Sequence, residues 1–69
     1  PLADEDVLRN LVDNVPVYKW RYRGDETQHV GPMAEDFSEA FGLGDGKTIN
    51  IIDAIGVLAS AIRALEARS

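Results

Sequence analysis

With 69 residues, 45% of them hydrophobic and 28% charged, the chain is long enough for one small domain spanning 1–69 and too short for two. It has no cysteine and one histidine, His29, so disulfides are excluded, and a metal centre or other cofactor is not expected. Seven Lys and Arg stand against twelve Asp and Glu, a formal charge of -5, which argues against a general binder of nucleic acid or anionic membrane; no apolar run approaches the roughly 20 residues that span a bilayer.

Asp4 or the acids beside it can cap a first helix, along which Val7, Leu8, Leu11 and Val12 recur at helical spacing before Val15 and Pro16 end it. From Val17 to Arg23 the period changes to two. Tyr18, Trp20 and Tyr22 fall on one face and Lys19, Arg21 and Arg23 on the other, the pattern of a half-buried strand. Gly24 and Asp25 supply a turn, and Gln28, His29 and Val30 return as its partner. After Pro32, Met33, Phe37 and Phe41 step by four into a second short helix, with Glu35 and Asp36 near its amino end and Gly42 placed to stop it. Thr48 and Ile49 are expected as a brief strand, and Asn50 with Asp53 has the spacing of a capping pair for the last helix.

That last helix carries the strongest pattern. Ile51, Ile55, Leu58, Ile62 and Leu65 step by 4, 3, 4 and 3, a heptad seam with Ile55 and Ile62 at one core position and Ile51, Leu58 and Leu65 at the other. Ala54, Val57, Ala61 and Ala64 form a second apolar flank, and Ile52 and Ala59 widen the stripe. Such a helix needs cover on two sides. Two short helices and a hairpin supply one, with Tyr18, Trp20, Tyr22, Met33, Phe37 and Phe41 expected as the domain core. The seam is left for identical helices around a symmetry axis. The fold class expected is therefore α+β, with a short first helix, a hairpin, a short helix and a long closing helix. Surface scaling agrees that self-association is needed, because a chain of this mass buries only about 60% of its surface alone.

The order and spacing of "VYKWRYRGDE", "QHVGPMAEDFSEAFGLG" and "INIIDAIGVLASAIRALEARS" resemble the C-terminal intramolecular chaperone domains of phage tail spikes, tail fibres and endosialidases, found also in bacterial surface adhesins. The resemblance covers roughly three quarters of the chain, with "HVGPMAEDF" its most specific part. It implies a homotrimer at the carboxyl end of a longer fibre polypeptide, on a virion tail or bacterial surface, holding three chains in register while the upstream shaft folds. Many members of that family then cut themselves free with a serine at the domain's start and a lysine shortly after. Here no serine or lysine lies between Pro1 and Val17, while Ser38, Ser60, Ser69, Lys19 and Lys47 do not have the family's spacing. No catalytic residue is carried over, so an enzymatic role for this chain is not expected. A product released by a dyad upstream of Pro1 is one alternative reading.

The other alternative is a small ligand-binding module. Tyr18, Trp20 and Tyr22 with Lys19, Arg21 and Arg23 have the composition of a base-stacking platform, but alternating aromatics more often mark a buried face. Arg23, Gly24 and Asp25 spell a receptor-recognised tripeptide that is also ordinary turn chemistry. His29 with Glu35 and Asp36 lacks the ligand count and spacing that zinc requires, and a strand histidine hydrogen-bonded near the core is expected instead.

Overall fold

The computed structural model describes residues 3–69, which form a small α+β domain with the elements α1 (Asp4–Asn14), β1 (Tyr18–Arg21), β2 (Gln28–Gly31), α2 (Ala34–Phe41) and α3 (Ile51–Ala67). Helix α1 starts with Asp4, Glu5 and Asp6 in its first turn, where carboxylates favour the positive end of the helix dipole. Its cap is Ala3, which offers no side-chain acceptor. Asp4 is not the cap expected from the sequence; its carboxylate turns toward α3 instead. The helix ends at Val15, whose φ of -124° and ψ of 84° lie outside the α region that a following proline disfavours.

Strands β1 and β2 pair antiparallel with Trp20 opposite His29 and Lys19 opposite Val30. Gly42 then closes α2 in the left-handed conformation at φ 66° and donates its N–H to the Ser38 carbonyl, satisfying a carbonyl that the helix end would otherwise leave unpaired. No strand forms at Thr48 and Ile49. The Asp45 Oδ1 atom accepts from the Lys47 and Thr48 N–H groups at 2.8 and 3.0 Å, which takes the Thr48 donor out of any ladder, and Ile49 packs against the helical core. Gly44 sits at φ 77°, and a Cβ there would come within 3.3 Å of the Thr48 carbonyl oxygen, so this tight loop needs glycine on both counts.

Asn50 begins α3 as its pattern predicts, its side-chain oxygen accepting from Ile52 N and Asp53 N. Asn50→Ala is expected to lower stability by about 1 kcal/mol, read from the midpoint of urea unfolding; an unchanged midpoint would mean that the cap is dispensable.

Helix α1 is the centre of the molecule, packed against both α2 and α3. Val7, Phe37 and Val57 form one buried cluster, flanked by Leu11, Phe41, Leu43 and Ile49. Leu8, Ala61 and Ala64 form the other. Asn10 Nδ2 donates to the Ala40 carbonyl at 2.6 Å, tying α1 to the end of α2. The hairpin lies apart from this core with no helix close against it, giving an elongated body of 42 × 25 × 20 Å.

The expected aromatic core is corrected accordingly. Of its members Phe37 is buried, Met33, Phe41 and Trp20 are partly covered, and Tyr18 and Tyr22 are exposed. A two-stranded sheet with no layer over it cannot bury a whole face. Instead Trp20 stacks on His29 at 4.8 Å and takes the edge of Tyr22 at 5.0 Å, a cluster held within the hairpin.

Candidate functional site

The seam residues read from the sequence all fall on one face of α3. Ile51, Ile55, Leu58, Ile62 and Leu65, with Ile52 beside them, are each more than half exposed, from 52% at Leu65 to 78% at Ile52. The reason is geometric. α3 rests on α1 through Val57, Ser60, Ala61 and Ala64, its buried residues, and at 100° per residue the seam lies about 130° round the helix from that contact. Small side chains at Ala61 and Ala64 let α1 approach closely, while the Ile and Leu side chains of the seam point away. From Leu65 to Ile52 the exposed stripe, apolar except for Glu66 near its carboxyl end, covers about 140° of the circumference, wider than a two-position coiled-coil seam. Full burial of an Ile or Leu side chain is worth roughly 1.5–3 kcal/mol, so a row left this exposed withholds several kcal/mol from the single subunit.

One feature of this face was not visible in the sequence. Beside Leu58, α1, α3 and the Val15, Pro16, Val17 link enclose an apolar groove of about 440 Å³. Val15, Phe37 and Val57, all buried, make its floor; Val12, Val17 and Leu58, all exposed, make its rim. The groove joins residues far apart in the chain, and local periodicity cannot anticipate that.

The seating of α3 on α1 is reinforced by polar groups. Ser60, a buried polar residue, donates from Oγ to Asp4 Oδ1 at 2.7 Å, and Arg63 Nε reaches Asp4 Oδ2 at 3.2 Å. Arg68 pairs with Glu5 along the same contact. The Ser60 hydrogen bond first, then Arg63, holds the Asp4 carboxyl below its ordinary value of 3.8. A depressed folded value means that this contribution is complete above the unfolded carboxylate's pKa and disappears as pH falls through the lower folded value. Asp4→Asn is therefore expected to destabilise the protein near neutrality and to leave unfolding unchanged once the pH is low enough to protonate the folded carboxyl, measured as melting temperature against pH. Equal losses at both ends would show that charge at Asp4 plays no part.

Among the described residues, Ser60 has no amine or imidazole as a base, only a carboxylate already shared with Arg63, which makes it a bracket between helices and a poor nucleophile. Among the described residues, no three His, Cys, Asp or Glu side chains are grouped to hold a metal ion, and no helix is long and apolar enough to cross a membrane. Arg23, Gly24 and Asp25 lie at the hairpin turn, with Gly24 at φ 81°. Asp25 Oδ1 accepts from the Thr27 N–H at 2.8 Å, a bond that closes the turn and lowers the Asp25 pKa. The ring of His29 meets Trp20 and the edge of Tyr22, a stacking role in place of the hydrogen-bonded one expected. Trp20 itself is engaged by both neighbours, and its buried Nε1 finds no acceptor among the described residues.

Compared with models of protein families, with curated proteins and with solved structures, the chain gives no significant match.

Proposed function

We propose that this domain is a self-associating clamp. Three copies meet along α3 through Ile51, Ile55, Leu58, Ile62 and Leu65, hold three polypeptides in register, and act as a folding chaperone for a β-rich fibre shaft carried upstream in the same chain, on a virion tail or bacterial surface. The observation that carries the reading is the exposed Ile and Leu row on the face of α3 turned away from α1. Water drives such rows together, and identical copies supply a row of matching spacing. Three copies rather than two follow from the resemblance to fibre chaperone domains and suit a stripe too broad for a two-helix seam.

The physical benefit to a shaft is kinetic. Pairing strands between three chains requires distant segments to meet before contacts reward the lost entropy, and unpaired edges aggregate meanwhile. A clamp of small helices forms first and raises the local concentration of the tethered chains to about millimolar for short linkers.

The test is to place the domain behind a β-rich trimeric shaft that aggregates when expressed alone. Soluble trimeric shaft is expected with the native domain and aggregate with an Ile62→Asp domain. Equal yields from the two would contradict a chaperone role.

A further inference from the structure

We infer that the apolar groove beside Leu58 receives the Ile52 edge of α3 from a second copy of this chain, so that neighbouring copies lie parallel and in register, groove against ridge. This rests on the reading that copies associate in register through α3, and it adds which residues outside the seam join them.

The groove and the ridge occupy opposite edges of one exposed stripe. Ala54 and Leu58 form the α3 wall of the groove, whereas Ile52 and Ala59 lie across the seam, with Ile52 about 120° round the helix from Leu58. A symmetry axis running along α3 sets the groove edge of each copy against the ridge edge of the next, whatever the number of copies. An antiparallel pair does the opposite, placing groove against groove and leaving Ile52 in water. Parallel copies in register also bring Ile52, Ile55 and Ala59 to the height of Ala54 and Leu58, so an uncharged ridge faces an uncharged groove.

The groove is continuous with the seam, since Leu58 serves both. The chain exposes 5415 Å², about 1,100 Å² more than the surface of a typical folded monomer of its mass, and the exposed α3 face contributes to that excess along with the projecting hairpin.

Glutamate at either edge tests the pairing by sedimentation equilibrium, with circular dichroism to confirm that each variant folds; Val12 is 65% and Ile52 78% exposed in the subunit, so neither change disturbs its core. Val12→Glu and Ile52→Glu are each expected to weaken association at least tenfold. A chain carrying Val12→Lys with Ile52→Glu should recover association at low salt, because the two charges then meet between neighbouring copies. A mixture of Val12→Lys chains with Val12→Glu chains should not. Recovery in that mixture would overturn the proposal in favour of antiparallel copies. Val12→Glu and Val17→Glu chains that associate like the parent, while Ile62→Asp is monomeric, would overturn it and leave the seam intact. A parent chain that never associates would remove the clamp reading along with it.

Discussion

Ile62→Asp is expected to convert the assembly into monomers while leaving most of the helical signal of the subunit in place. Ile62 is 64% exposed in the single subunit, so the substitution touches little of the core formed by Val7, Phe37 and Val57. In the proposed trimer the same position lies at the axis. Three carboxylates would then share one apolar layer, each carrying an effective desolvation penalty of several kcal/mol, and the neighbouring Arg63 is already paired with Asp4. At 1.4 kcal/mol per factor of ten, association should weaken by at least about a thousandfold. Light scattering in the micromolar range would read the change in mass. Melting temperature should also lose its dependence on protein concentration, because only the associated form gains stability by mass action. Ile62→Leu should behave like the parent. An Ile62→Asp chain with unaltered mass would show that this row does not make the contact.

Phe37→Ala should do the reverse, unfolding the subunit itself. Phe37 is 4% exposed and joins Val7 of α1 to Val57 of α3, with the ring of Phe41 at 5.3 Å. Truncating a buried phenylalanine costs about 3–5 kcal/mol. A domain of this length has roughly 3–10 kcal/mol of stability in total, at 0.05–0.15 kcal/mol per residue. The variant is therefore expected to be largely unfolded at low concentration, seen as loss of the far-ultraviolet helical signal and of a cooperative urea transition. Tyr22→Ala is the contrasting change. Tyr22 is exposed and its main partners are Trp20 and His29, so about 1 kcal/mol or less is at stake. If Phe37→Ala melted like the parent, the assignment of the core would be wrong.

The difference between these two residues also marks what periodicity can and cannot convey. Both fall on clear apolar patterns, Phe37 at helical spacing and Tyr22 at strand spacing, and a pattern identifies a face without identifying what covers it. For α2 the cover is α1, together with Val57 of α3. For the hairpin no helix arrives, and the aromatic side chains cover one another. The seam of α3 was legible because 4, 3, 4, 3 stepping survives over its length, and the Asn50 cap and Gly42 stop were legible because each depends on residues within four positions. Asp4 was misread for the opposite reason. Its local context is that of a cap, and its partners Ser60 and Arg63 lie more than fifty positions away. No strand forms at Thr48 and Ile49 because the loop residue Asp45 captures the Thr48 N–H. The groove under Val12 and Val17 is likewise a product of tertiary packing, built from four separate stretches of chain.

The contact proposed between copies is the face of α3 turned away from α1. Sedimentation equilibrium of the native chain across the micromolar range tests it directly. A trimer should appear at about 23 kDa, three times the 7.6 kDa of the chain, with the fraction assembled rising with concentration. A single species at 7.6 kDa at every concentration, as stable dilute as concentrated, would contradict the account.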